Sequence, residues 1–155
     1  MRSRFCLPAA VLMVMVTLAP GLVAAQGSPL VATVNGAGRL YIPSIDPGSL
    51  FEMAVLLKED GSATGNFVCH IPGPAGSALI GNVSAGAVNE DGSVTFSGVC
   101  FFVLPGGGIV PGLDYEVTAY PGGPGVAYLL LSVPDAGILD DPEFVVAGKI
   151  QIRMP

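Results

Sequence analysis

The chain has 155 residues, of which 51% are hydrophobic and only 12% are charged, with 22 glycines and 14 prolines. Twelve acidic residues against six lysines and arginines give a formal net charge of −6. This balance argues against nucleic-acid binding, since scattered cations cannot track a phosphate backbone, and anionic membranes would repel the chain. Disordered chains can have as little charge and as much glycine, but they do not contain this many apolar residues. The composition therefore favours a folded chain.

The first 25 residues show the three regions of a secretory signal peptide. Arg2 and Arg4 supply the positive start, a long apolar run follows, and small residues end the segment at Ala25, with cleavage before Gln26. An uncleaved membrane anchor is the alternative, but the apolar run is shorter than the roughly 18 residues of a membrane span. Removal of the two arginines would leave four cations against twelve acids, a net charge near −8.

We therefore expect a cleaved signal peptide over 1–25 and a single mature domain over 26–155. A protein with this organisation is secreted to the extracellular space or the periplasm, and it has no membrane span after cleavage.

The mature part predicts an all-β, antiparallel fold of about eight strands. Glycine or proline interrupts nearly every ten-residue window, which a helix interior would not tolerate, and apolar or β-branched runs alternate with turn clusters. Asp60-Gly61 and Asp91-Gly92 are the strongest hairpin signals, because an Asp-Gly pair readily adopts positive φ. The predicted strands are Val31–Ile42, Leu50–Leu57, Ala63–Ile71, Leu79–Val88, Ser93–Leu104, Tyr115–Tyr120, Val126–Val133 and Phe144–Arg153.

Alternation along these strands fits either a closed barrel or a two-sheet sandwich. Val94 and Phe96 share one strand face and Thr95 lies opposite, whereas "VAYLLLSV" is apolar on both faces and should be covered by neighbours. The first strand, with "GAGRLYI", and the last, with "AGKIQIR", share a pattern. These two strands could pair and close the sheet.

Cys69 and Cys100 are the cysteines that remain after signal cleavage, and an even pair in an oxidising compartment predicts a disulfide between them. Two buried thiols are the alternative. His70, the only histidine, points to the opposite strand face from Cys69, so the two neighbours do not form a nucleophile-base pair or a metal site. We interpret His70 as a solvent-facing or hydrogen-bonded strand residue.

Other catalytic arrangements are weak, and no cofactor motif is present. A serine hydrolase lacks a GxSxG motif, and the glycine-rich "PGGGIVPG" lacks the GK[ST] of a phosphate-binding loop. A hydrolase that uses paired carboxylates among Asp46, Glu52, Asp114 and Glu116 is conceivable, but solvated acids explain these residues more simply.

Clustered carboxylates near the C-terminus are weak candidates for calcium, because hard cations prefer oxygen ligands. They lack the spacing of an EF-hand loop, so a solvated turn and no metal is the expectation. Four tyrosines could form an aromatic carbohydrate-binding face, although strand tyrosines commonly pack on half-buried surfaces. The calcium candidates are Asp135, Asp140, Asp141 and Glu143, and the tyrosines are Tyr41, Tyr115, Tyr120 and Tyr128.

The order of the turn and core motifs resembles the post-COAP domain, a small secreted β-domain of bacteria and archaea of unknown function. The resemblance spans nearly the whole mature chain and implies a surface or interaction module without catalytic activity. Members commonly carry an Asp-rich turn where this chain has "AYPGGPGVAYLLL", so no cation site is carried over. The matching segments are Gly36–Ile42, Asp60–Phe67, Val94–Gly98, Tyr115–Val117 and Gly148–Ile152.

Together these features predict an exported, non-enzymatic structural or interaction module, whose partner is a second copy, a surface protein or a polysaccharide. The alternative is a lipocalin- or avidin-like barrel that holds a small apolar molecule against Phe96, Tyr115 and Tyr128. A carboxylate hydrolase is the third hypothesis.

Overall fold

The computed structural model describes residues 27–42, 45–71, 76–138 and 141–155, and the predicted signal peptide lies outside them. The described chain folds into eight strands and one short 3-10 turn, η1, at Pro134–Ala136. Within these ranges no helix is long and apolar enough to cross a membrane. The strands are β1 (Leu30–Ile42), β2 (Ile45–Lys58), β3 (Ser62–Ile71), β4 (Ser77–Val88), β5 (Val94–Val103), β6 (Ile109–Tyr120), β7 (Tyr128–Ser132) and β8 (Pro142–Arg153).

The strands form a closed barrel in which each one pairs antiparallel with its neighbours in sequence. Pairing of β8 with β1 completes the ring, so the barrel is the correct choice of the two predicted architectures. We call the end that carries the β1–β2, β3–β4, β5–β6 and β7–β8 connections the upper end. The opposite end is the lower end.

All eight predicted strands are present, but two begin at least five residues earlier than expected. β2 starts at Ile45 and β6 at Ile109. The early part of β6 contains Pro111 and Gly112, which the pattern assigned to a connector. There the β5–β6 register shifts, and Gly112 has φ 76°. A bulge accommodates both residues within the strand.

Glycines allow β1 and β8 to approach at the seam that closes the barrel. Gly38 pairs with Gly148, and a Cβ on either would collide with a backbone carbonyl of the other strand. Gly148 also has φ 94°, which side chains disfavour. The predicted pairing of the two similar strands is therefore confirmed.

The two Asp-Gly sequences form the predicted hairpin turns, with positive φ at Gly61 and Gly92. Each aspartate also accepts hydrogen bonds from the serine two residues later; Ser62 N and Oγ, for example, lie 3.0 and 2.6 Å from Asp60 Oδ1. These bonds lower the pKa of both aspartates, the larger contribution coming from the serine hydroxyl. The repeated DGS sequence thus fixes two turns at the lower end.

Side chains that alternate inward along every strand fill the barrel. Phe67 is central, with its ring centroid 6.0 Å from Phe96, edge-on, and 6.1 Å from Tyr115, stacked. The predicted face of β5 is correct, since Val94 and Phe96 are buried inside. Interior positions on the lower half of the strands are almost entirely apolar, whereas polar groups occur near the upper end.

Candidate functional site

The predicted disulfide is wrong, because Cys69 and Cys100 are both free and buried. β4 lies between their strands, where Cys69 pairs with Leu79 and Cys100 with Gly81. Two strand spacings are about 10 Å, whereas a disulfide needs its Cα atoms within about 7 Å. The structure therefore shows the alternative, two buried thiols.

Both thiols are unsuited to nucleophilic chemistry. Burial, with a smaller contribution from the Glu143 carboxylate, raises the pKa of Cys69 to about 12. Burial also raises the pKa of Cys100. A nucleophilic cysteine needs a lowered pKa, so each thiol stays protonated at neutral pH.

His70 lies on the outer face of β3, exposed and beside Leu50 and Ala78 in the strand pairing. Cys69 faces the interior. The predicted separation of the two neighbours is confirmed.

A buried polar pair occupies the interior near the upper end. Ser49 on β2 donates a hydrogen bond of 3.1 Å from its Oγ to Oε2 of Glu143 on β8, and the two side chains are almost inaccessible to solvent. Burial raises the pKa of Glu143 to about 7, a change that the Ser49 hydrogen bond opposes and that Asp141 reinforces. Glu143 is therefore a barrel-interior carboxyl group, which no sequence pattern indicated.

Tyr115 contributes a second unusual polar group to the interior. Its ring lies over Gly81, where an added Cβ would overlap it. The hydroxyl is buried and has no hydrogen-bond partner in the described part of the chain. Burial is also the main cause of its raised pKa.

The residues predicted to line a ligand cavity do not do so together. Phe96 and Tyr115 are packed in the interior, whereas Tyr128 lies on the outer surface against Tyr120. A cleft at the upper mouth has a volume of about 180 Å³ and includes Phe102 and Leu113. Sites for drug-sized ligands are commonly about 300–1,000 Å³, so this cleft is small.

Of the predicted carboxylates, Asp114 and Glu116 are neighbours on one strand face, whereas Glu52 lies far from both. Glu52 is exposed on the outer face of β2, and Asp114 and Glu116 are exposed on β6, across the barrel from it. The latter two border a shallow cleft of about 310 Å³. The side chain of Asp46 lies outside the described residues.

The calcium candidates point in different directions. Asp135 and Asp141 are exposed, Glu143 faces the barrel interior, and Asp140 lies outside the described residues. In the part of the chain that the structure describes, no group of three or more potential ligands could hold a metal ion.

Four aromatic side chains form a row on the outer surface across β6, β7, β8 and β1. Tyr120 and Tyr128 stack with centroids 4.0 Å apart, and Phe144 lies 5.9 Å from Tyr128. Tyr41 pairs with Phe144 in the strand register. The stacked rings of Tyr120 and Tyr128 each cover one face of the other, whereas Tyr41 and Phe144 are 51% and 41% exposed.

A group of apolar side chains lies on the outer side of β3–β6 near the upper end, beside the exposed Asn82 and Asp114, and we call it the apolar wall. Val68, Ile80 and Phe101 are paired in one row across three strands, and Val103 pairs with Ile109 in the next. Exposure reaches 36% at Ile80, 51% at Val99 and 62% at Ile109. The apolar wall consists of Val68, Ile80, Val99, Phe101, Val103 and Ile109.

Three of the four strands beneath the apolar wall carry no charge. The sequence contains no Asp, Glu, Lys or Arg between Asp60 and Glu90, nor between Asp91 and Asp114, so β3, β4 and β5 are uncharged throughout. This charge-free run, and the stretch "GVCFFVL", which is apolar on both strand faces, are the sequence features that could have indicated the surface. They do not reveal by themselves that the strands are adjacent.

The outer face of β8, β1 and β2 carries polar and charged side chains beside exposed apolar ones such as Leu50 and Val146. Asn35 pairs with Gln151, and Ala37 lies between Lys149 and Glu52. Small residues along β1 leave a cleft of about 420 Å³ between these side chains. The charges of the barrel wall are thus concentrated away from the apolar wall.

Comparison with known proteins found no matching family model, no matching curated protein and no matching solved structure. The resemblance to the post-COAP domain therefore stays a prediction.

Proposed function

We propose that the chain is an exported, non-enzymatic β-barrel that acts as an extracellular or cell-surface structural or interaction module. The observation that carries this proposal is the apolar wall. Exposed contiguous apolar patches on soluble proteins mark contact sites, since single scattered apolar residues are the norm elsewhere. Three adjacent uncharged strands, β3, β4 and β5, are unusual in a surface with no partner.

The interior supports a contact role over catalysis or ligand storage. The aromatic side chains of Phe67, Phe96 and Tyr115 pack against one another inside the barrel. The thiols are buried and protonated, and the neighbouring carboxylates Asp114 and Glu116 border only a shallow cleft.

Retention on the surface of the producing cells tests the proposal. Val99→Lys places a charge in the apolar wall, and Val146→Lys is its matched control, because the two valines are 51% and 49% exposed. We expect Val99→Lys to lower the washed, cell-bound fraction about tenfold, the effect of roughly 1.4 kcal/mol. The control should bind as the unchanged protein does.

Equal retention of the unchanged protein and both variants would contradict the proposal. Circular dichroism and an unfolding curve for each variant establish that a loss of binding is not a loss of fold.

A further inference from the structure

We propose that the barrel has a pH-dependent seam between β7 and the start of β8, which opens locally when the buried carboxyl group of Glu143 ionises. The rest of the barrel stays closed during this opening. We call the pairing of β7 with residues 142–145 of β8 the upper seam. The inference goes beyond the proposed function and is independent of it, because the upper seam lies away from the apolar wall.

The upper seam is the shortest strand ladder in the described barrel. The Val145 N–H extends it by one hydrogen bond of 2.9 Å to the Ala127 carbonyl, and Pro142 has no N–H to donate. Because few bonds hold the two strands together, separation here costs less free energy than separation at the longer ladders. The paired residues of the seam are Tyr128–Phe144, Leu129–Glu143 and Leu130–Pro142.

Glu143 places a carboxyl group inside this short ladder. Its side chain is 6% exposed and accepts a hydrogen bond of 3.1 Å from Ser49 Oγ on β2. A protonated carboxyl group is tolerated in such a place, whereas a carboxylate loses the water that would solvate its oxygens. Detachment of the start of β8 from β7 returns these oxygens to water, so ionisation favours the open seam.

The groups around Glu143 do not offset the charge of its carboxylate. The titratable groups near it among the described residues are the Cys69 thiol of β3 and the Asp141 carboxylate of the same segment. At the neighbouring interior positions, β1 and β7 present the apolar Leu40 and Leu129. The side chains of Asp46 and Asp140 lie outside the described residues. Within the described residues, relief of the buried charge therefore comes from solvent.

The direction of the pH dependence follows from the two environments of Glu143. In the closed seam, burial raises the pKa of Glu143 to about 7, whereas in the open seam the pKa returns towards the ordinary 4.5. Opening between these two pH values releases a proton. The equilibrium constant for opening therefore rises with pH, by up to about tenfold per pH unit, and is lowest below pH 4.5.

Backbone hydrogen exchange measured by NMR tests this inference, because β8 carries both a reporter and a reference amide. The Val145 N–H donates to Ala127 at the seam, and the Ile150 N–H donates to Gly122 lower on the same strand, each at 2.9 Å. We expect the protection factor of Val145, which corrects for the intrinsic exchange rate, to fall more than about tenfold from pH 5 to pH 7. At pH 8 it should lie at least about tenfold below that of Ile150. Low urea should not change it, because a local opening exposes little surface.

Glu143→Gln removes the titrating group and should make the protection factor of Val145 independent of pH. Asp141→Asn is the matched control, because it removes an exposed carboxylate from the same segment, and the fall with pH should remain. If circular dichroism shows that Glu143→Gln is unfolded, Ser49→Ala replaces it. Loss of the hydrogen bond that favours the carboxylate should move the fall at Val145 to higher pH.

Equal protection of Val145 and Ile150 at pH 8 would overturn the inference, because unfolding of the whole barrel would then be what exposes the seam. A protection factor of Val145 that does not change with pH in the unchanged protein would also overturn it. So would a fall of the same size in Glu143→Gln, or a fall at an unchanged pH in Ser49→Ala.

Discussion

The barrel interior and the apolar wall are both built from apolar side chains of β3–β6, but only the interior is completed by the chain itself. Phe96 is fully buried against Phe67 and other inward residues, whereas Val99, three residues later and facing outward, is 51% exposed. Folding requires the inward-facing side chains of these strands to be apolar, whereas the outward-facing positions could equally be polar. Folding alone therefore does not demand the apolar character of the wall, which supports the proposed contact role.

The largest expected difference between the two regions is in stability. Phe96→Ala removes a fully buried ring and should lower the free energy of unfolding by about 3–5 kcal/mol. Val99→Ala, on the apolar wall, should change it by less than about 0.5 kcal/mol in dilute solution. Urea unfolding followed by far-UV circular dichroism measures the free energy of unfolding of both variants. A similar loss of stability in the two variants would contradict the expected difference.

Glu143 gives the interior a pH dependence that the apolar wall lacks. Its folded pKa of about 7 lies above the ordinary 4.5, so the folded state holds a proton that the unfolded chain has released between these values. The contribution of this group to the free energy of unfolding is fully present below pH 4.5. It is lost as the pH rises to about 7, and the loss amounts to about 3 kcal/mol. Glu143→Gln should remove that loss and be the more stable form at pH 8.

The measurement is the free energy of unfolding of the unchanged protein and of Glu143→Gln from pH 4.5 to 8. Ser49→Ala is the companion variant, because removing the hydrogen bond that favours the carboxylate should move the loss to higher pH. Parallel pH curves for the unchanged protein and Glu143→Gln would show that the buried carboxyl has no shifted pKa.

Replacing Tyr115 should change the stability by less than replacing Phe96 does, and in the opposite direction. Its buried hydroxyl has no hydrogen-bond partner among the described residues, and an unsatisfied buried hydroxyl costs about 1 kcal/mol or more. Tyr115→Phe keeps the ring over Gly81 and should raise the melting temperature by a few degrees. A lower melting temperature would reveal a bonded water or ligand at the hydroxyl.

Much of the fold could be predicted from local patterns. The Asp-Gly turns, the alternation of β5 and the match between the first and last strands indicated hairpins, faces and the closing pair. Barrel closure itself depends on long-range register, such as Gly38 opposite Gly148, which local patterns do not contain. The early start of β6 was missed because Pro111 and Gly112 look like a turn but form a bulge.

The site was less predictable because it depends on which strands meet. The Cys69–Cys100 disulfide was predicted from the even number of cysteines and the expected oxidising compartment. In the barrel, however, β4 separates the strands that carry the two cysteines. Ser49 and Glu143 are 94 residues apart, and only the closed barrel brings them into hydrogen-bond contact. The charge-free run was visible in the sequence, whereas its position on one continuous outer surface required the strand order.

Hydroxyl-radical footprinting of the protein bound to the producing cells, compared with the same protein released into dilute solution, tests the central claim, that the apolar wall is a contact surface. Phe101 reports on the wall, and Phe144, which is 41% exposed on β8, is the internal reference. We expect oxidation of Phe101 to be several-fold lower in the bound protein than in the released protein, while that of Phe144 is the same in both. Unchanged oxidation of Phe101, or an equal fall at both residues, would contradict the account.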